Sequence, residues 1–360
     1  MEEFSDSSDS DYELELHRRP RTFREKTNFH FERIDDFQGR FRLRRNAVEQ
    51  ILLRIGARLA HPTQRNYALS PSQQLLLCLR FYACDSFYHV VADAHGPHKS
   101  TVCRAVRRVT AALCDELFDE TVNMPDAYAD RTAIAAQFYR IANMPSVRGI
   151  VDGTLIKIKA PSLHEEQYVD RHDNHSINAM VVCGHDYKFY FVSARWPGSV
   201  SDARVLRNSS LAERFEEGWR PFPNAIVLGD SIYPLRSWLI PPVRTAVAHD
   251  EPTARFLRSH RSTRRIVENS IGILKERFPC LNLLRVDPVY AGQIIKACAV
   301  LHNFAMNFEP PPVPAEVEDA NPADANLDEE RDDYEPENNP PDGQGGQNRR
   351  AQLIATFAQV

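Results

Sequence analysis

The sequence predicts an α/β fold: a mixed sheet flanked by helices, with an all-α region ahead of it. Three observations predict it. Between Phe41 and Leu113 apolar residues recur at helical spacing; from Gly149 the pattern switches to short runs that alternate or are wholly apolar; and a long amphipathic stretch, Thr263 to Phe278, follows those runs.

Charge divides the chain. Residues 1–15 hold seven acids and no Lys or Arg, residues 309–342 hold thirteen acids against Arg331, and residues 343–360 hold Arg349 and Arg350. With a formal net charge of −5, these segments at −7, −12 and +2 leave +12 on residues 16–308. A basic body between acidic flanks suits a polyanionic partner, with plain solubility as the alternative. The expected organisation is a disordered, partly basic segment (1–39), a helical region (40–145), an α/β domain (146–308) and an acidic, largely disordered tail (309–360). The seven cysteines form no CxxC pair and mostly sit among apolar residues, the pattern of reduced core thiols in an intracellular protein. The acidic start and the lack of an apolar run of about 18 residues predict neither a signal peptide nor a membrane span.

In the helical region, Val48, Ile51, Leu52 and Ile55 share one face of a helix over Phe41–Leu59, and Ser70-Pro71 marks the start of another through Tyr82. Phe87, Val90 and Val91 then suggest a short helix, broken at His95-Gly96-Pro97. Ser100 is expected to cap a second one, with Val102, Ala105, Val106, Val109 and Leu113 inward and Lys99, Arg104, Arg107 and Arg108 on its other faces. A short helix, a glycine turn and a basic helix form a helix-turn-helix pattern, although many helical bundles contain such hairpins without touching DNA.

The α/β part reads as strands at Ile150–Lys159, Ser176–Cys183, Lys188–Ala194 and Ala225–Leu228, with Arg195 to Gly198 as a loop. Ser199 or Ser201 caps a helix that has Asp202 in its first turn. The last strand is wholly apolar, suits a central position, and runs into Gly229-Asp230. In the helix from Thr263, Val267, Ile271, Leu274 and Phe278 form the apolar stripe. Glu268 lies beside that stripe, with Gly272 and Lys275 on its own face, where a substrate backbone could approach and Lys275 could meet a phosphate.

An acid in an apolar strand is costly to bury unless something positive neutralises it. Alone, Asp152 reads equally as a solvated strand-end acid, and Glu268 as a solvated helix acid. With the first and fourth strands adjacent, however, Asp152, Asp230 and Glu268 converge at one edge. Clustered hard-oxygen donors without a Cys/His set suit Mg²⁺ or Mn²⁺. Two such ions about 4 Å apart can activate a water or 3′-hydroxyl and stabilise the leaving oxygen in phosphodiester cleavage.

The ordered segments GIVDGTLIKIKAP, SINAMVVC, RWPGSVSDARVLRNSSL, VLGDSIYPLRSWL, RRIVENSIGILKERFP and CAVLHNF resemble the PIF/Harbinger transposase family, and its domesticated nucleases most closely, over roughly Arg40 to Phe308. The resemblance implies that residues 146–308 form an RNase H-like DDE nuclease domain behind the helix-turn-helix-like region. Its triad would be Asp152, Asp230 and Glu268, with Asp202 as a further metal ligand or supporting group and Mg²⁺ or Mn²⁺ as cofactor. It also implies a DNA substrate, a separate Myb/SANT-like DNA-binding partner and a nuclear location with passage through the cytoplasm; self-association is compatible with it. The basic segment Arg18–Lys26 is a candidate import signal. Three positions depart from the family pattern: Ile232 replaces a glycine, Asn269-Ser270 replaces Arg-Ala, and Ser201 replaces a histidine. None removes a carboxylate, but Ile232 is expected to constrict the turn beside Asp230. The rival class is a DNA-binding or scaffold protein that keeps the fold without catalysis.

Overall fold

The computed structural model describes residues 34–63, 67–125, 128–243, 250–309 and 343–358; the expected import segment Arg18–Lys26 and the acidic stretch 310–342 lie outside them. The helical region opens with α1 (Phe37–Phe41), capped by Asp36, which accepts from the Gly39 N–H. The single helix expected from Phe41 is divided in two. Arg42 takes a left-handed conformation (φ 62°) and Leu43 turns fully into the core before α2 (Arg45–Leu59) begins. The Ser70–Gln73 capping box starts α3 (Pro71–Tyr82). Gly96, at φ 84°, closes α4 (Tyr88–His95), a conformation glycine adopts at no steric cost. The cap of α5 (Lys99–Thr121) is His98, not Ser100: its Nδ1 accepts from the Ser100 N–H at 3.3 Å. α6 (Tyr128–Ala142) has no sequence signature, since many of its small positions are alanines that carry little period.

The sheet comprises β1 (Val147–Lys157), β2 (Ser176–Cys183), β3 (Phe189–Pro197), β4 (Ile226–Leu228) and β5 (Leu239–Ile240), in the order β3-β2-β1-β4-β5. β1, β2 and β3 form an antiparallel meander, whereas β4 and β5 run parallel to β1. The wholly apolar β4 is central and buried, as its composition requires. Arg195-Trp196-Pro197 continues β3 instead of forming a loop; Pro197 is tolerated because β3 is an edge strand.

The helix expected after Ser201 is split into α7 (Asp202–Arg207) and α8 (Ser210–Glu216), because Ser209 caps the second piece by accepting from Ala212 N–H. α9 (Glu251–Arg277) starts well before Ser262, at an Asp250 cap with Pro in its first turn. α10 (Pro288–Met306) follows. Within the tail expected to be largely disordered, α11 (Gly343–Thr356) is helical: Leu353 is buried, and just past the helix the Phe357 ring meets Phe256 of α9 edge-on at 6.0 Å.

α10 is shared by the helical region and the sheet. On one side Tyr290 meets Thr110 of α5 (3.3 Å between hydroxyls) and lies under the Arg107 guanidinium, 4.1 Å from the ring centroid; the Gln293 carbonyl accepts from Cys114 Sγ–H. On the other, Asn303 brackets Phe189 of β3, accepting from its N–H and donating to its carbonyl, both at 2.8 Å, and also donates to the Thr121 carbonyl. Among the described residues no helix is long and apolar enough to cross a membrane.

Two buried histidines predict an acid-sensitive fold. Burial pushes His260 down from 6.5 to about 4 and His302 to about 3, although each hydrogen-bonds a backbone carbonyl. Below pH 6.5 the unfolded chain takes up protons that the native state refuses. Stability therefore falls as pH drops from 6.5 toward 4, by up to about 1.4 kcal/mol per pH unit for each histidine. Urea midpoints compared at about pH 7 and about pH 5 check this; equal midpoints would contradict neutral buried imidazoles.

Candidate active site

In the parallel β1–β4 ladder Ile150 stands opposite Leu228. Asp152 lies two residues further along β1, and Asp230 two residues past the end of β4; both carboxylates act on the buried Tyr233 hydroxyl. Both are buried, at 4% and 3% exposure. Each is held by its own backbone: Asp152 Oδ1 accepts from Gly153 N–H at 2.9 Å, and Asp230 Oδ1 from Ile232 N–H at 3.0 Å. Ile232 does not occupy the left-handed region, so it makes this turn without the strain that would call for a glycine.

Asp202, the first residue of α7, comes in over β1. Asn178 of β2 donates to its Oδ1 at 2.5 Å and to the Val200 carbonyl at 2.8 Å. A Cβ on Gly153 would stand 2.3 Å from the Asp202 carboxylate, so the glycine after Asp152 is what lets this acid lie against the strand. Tyr233 is buried among the aspartates. Burial, then the charges of Asp202, Asp230 and Asp152, push its hydroxyl well above the ordinary 10, with Arg264 opposing; it stays protonated.

Glu268 arrives on α9 with its side chain half exposed. One turn earlier on α9, Arg264 projects into the buried layer at 5% exposure. Its Nη2 lies 3.6 Å from Asp152 Oδ2 and 3.3 Å from Glu268 Oε1, so one guanidinium joins a sheet acid to the helix acid. Lys275, two turns on, is half-buried, and its Nζ donates to the Leu155 carbonyl of β1 at 3.3 Å, tying the helix to the strand that carries Asp152.

The four acids of the sequence reading thus gather around Tyr233 and Arg264. Among the described residues, no three His, Cys, Asp or Glu side chains stand at ligating distance of one point. The donor chemistry nonetheless fits a hard divalent cation. It is all oxygen, two of the aspartates are buried, and the Tyr233 hydroxyl is enclosed beside them without a hydrogen-bond partner among the described residues.

The basic residues of α5 are not part of this assembly. Lys99 and Arg104 are exposed. Arg107 stacks on Tyr290 and lies 3.8 Å from Asp287, while Arg108 donates to Gln74 Oε1 at 3.0 Å and lies 2.8 Å from His61 Nε2. Arg107 remains exposed while resting on Tyr290, and the half-buried Arg108 links α5 to α3, a contact its surface-like spacing did not reveal. Sequence reasoning also passed over Arg264, Tyr233 and Asn178. For Arg264 a signal existed: it sits at i−4 from Glu268 and in register with Val267 and Leu274, an arginine inside an apolar stripe.

Comparison with known proteins is consistent with this geometry. The DDE superfamily endonuclease family matches residues 151–303, which include all four acids. The Homo sapiens protein named "Putative nuclease HARBI1" is 36% identical over 256 residues, covering 70% of this chain and 72% of its own length. Its Xenopus laevis namesake is 30% identical over 271 residues, covering 73% and 75%. The Arabidopsis thaliana "Protein ALP1-like" is 25% identical over 256 residues, covering 67% and 62%. No solved structure matches the chain. With a mixed five-stranded sheet flanked by helices, and with these relatives, the chain belongs to the Harbinger-derived family of DDE superfamily endonucleases.

Proposed function

We propose that the chain is a divalent-metal-dependent DNA endonuclease of transposase descent. In this reading Asp152, Asp230 and Glu268 are the catalytic carboxylates, and Asp202 is a further ligand or a supporting group. The observation that carries it is that Asp152 of β1 and Asp230, just past β4, are both buried beside Tyr233, with Asp152 joined through Arg264 to Glu268. Mg²⁺ or Mn²⁺, when bound, would supply Lewis-acid stabilisation of the attacking and leaving oxygens. Asp152 and Asp230 hold fixed orientations through their backbone donors, Asn178 orients Asp202, and Tyr233 excludes water while keeping a proton to donate.

One observation favours the rival, a catalytically silent DNA-binding or scaffold protein: Arg264 gives Asp152 and Glu268 a cationic partner of their own. A cleavage assay on supercoiled, linear and single-stranded DNA decides. The expected result is cutting with Mg²⁺ or Mn²⁺, none with chelator, and none by Asp152→Ala. Absence of cutting on every substrate with either cation would favour the silent reading. A nuclear location with passage through the cytoplasm, a Myb/SANT-like DNA-binding partner and self-association belong to the same proposal. Persistent cytoplasmic residence alongside a co-expressed partner would count against it.

A further inference from the structure

α9 carries more than Glu268. Arg258, Arg261, Arg265, Glu268 and Gly272 follow one another at steps of three and four, which places them along a single stripe of the helix. That stripe faces outward: Arg258, Arg261, Glu268 and Gly272 are exposed and Arg265 is half-buried. The buried face of the same helix carries Phe256, Thr263, Val267 and Leu274.

The charges on the stripe are unevenly satisfied. Arg258 is paired with Glu251 at 3.0 Å. Arg261 and Arg265 make no ion pair with a carboxylate among the described residues, although acids elsewhere in the chain are paired with arginines from other elements, as Glu120 is with Arg54 and Glu309 with Arg277. Two neighbouring arginines left without acids beside a carboxylate cluster raise the local positive potential where a polyanion would arrive. Gly272 adds a separate observation. A Cβ there would meet nothing within 4 Å, so packing does not require the glycine, yet glycine inside a helix costs about 1 kcal/mol against alanine. Its effect is to leave the helix surface bare one turn beyond Glu268.

We propose that this stripe is a phosphate track that lays one DNA strand along α9, with Arg261 and Arg265 holding successive phosphates on one side of Glu268 and the backbone passing over Gly272 on the other. At a rise of about 1.5 Å per residue, Arg258 to Glu268 spans about 15 Å and Arg261 and Arg265 stand about 6 Å apart, close to the spacing of neighbouring phosphates along a strand. The contact is to phosphate and is therefore indifferent to base sequence. It would let the catalytic domain itself engage DNA, in addition to any contact made by the basic residues of α5. The proposal rests on the endonuclease reading for its substrate, but its test uses binding alone.

The experiment is fluorescence anisotropy of a labelled DNA duplex against the full chain without divalent metal, over a series of salt concentrations. Wild type is compared with Arg261→Gln/Arg265→Gln and with a charge-matched control on other elements, Arg44→Gln/Arg171→Gln. Thermal melts establish that each variant folds. The expected result is that the α9 double variant binds at least about tenfold more weakly and loses about 1.8 from the salt slope, about 0.9 per lost phosphate contact, while the control keeps the wild-type slope. Equal slopes for wild type and the α9 variant, or equal losses in α9 variant and control, overturn the track and leave the nuclease reading standing. The expected slope change together with no cleavage under any metal condition keeps the track and removes the nuclease reading. Wild-type binding to an acidic polypeptide but not to DNA overturns both.

Discussion

On the endonuclease reading, Asp230→Asn is expected to lower DNA cleavage by about 10³-fold or more while the folded protein survives. A loss of that size corresponds to about 4 kcal/mol of transition-state stabilisation, the scale expected when a carboxylate that holds catalytic cations loses its charge. The fold survives because the amide is nearly isosteric and its oxygen still accepts from the Ile232 N–H. The metal-free protein becomes slightly more stable, since one of three clustered aspartates around Tyr233 no longer repels the others. Single-turnover cleavage and thermal melts with and without Mn²⁺ check both halves. Wild-type cleavage by this variant would remove Asp230 from the chemistry, and an unchanged melting rise with Mn²⁺ would remove it from the metal site.

Arg264→Met costs about 3–5 kcal/mol of metal-free stability, the range seen when one partner of a buried ion pair is deleted and the other charge stays behind. The magnitude applies here because both side chains are enclosed, each at 6% exposure, whereas the second partner, Glu268, is half solvated and recovers hydration instead. The loss should shrink when Asp152→Asn is added, giving a coupling energy of about 1–3 kcal/mol in a double-mutant cycle. Excess Mn²⁺ should also restore part of it by supplying the missing positive charge. Urea denaturation of the four proteins gives the cycle. An Arg264→Met midpoint within error of wild type would show that the guanidinium does not compensate Asp152.

Much of this was legible in the chain. The wholly apolar Ile226–Leu228 run announced a buried interior strand, and Asp152 and Asp230 each come two residues after the paired Ile150 and Leu228 of β1 and β4. What could not be read was the tertiary use of ordinary residues. β5 is two residues long, too short for any period, and α6 draws its small positions largely from alanine. Arg108 carries the spacing of a solvated helix face, yet it is half-buried because Gln74 arrives from another helix. Asn178 looked like one more strand residue, and its bond to Asp202 depends on a loop that returns across β2. The start of α9 was placed too late because Arg255, Arg258 and Arg261 interrupt the apolar stripe with a solvent-facing one.

On the endonuclease reading, the clamping of α5 onto α10 would fix the spacing between two DNA contacts. A reading head on a flexible linker can sample many spacings between the sequence it recognises and the bond it cuts. Here Tyr290 and Gln293 fasten α5 to the helix that also grips β3 through Asn303, so the exposed Lys99 and Arg104 stand at a set distance from Asp152 and Asp230. On the endonuclease reading, a duplex held at both places would present its scissile bond a constant number of base pairs from the start of α5, and changing the α5–α10 interface would alter that interval.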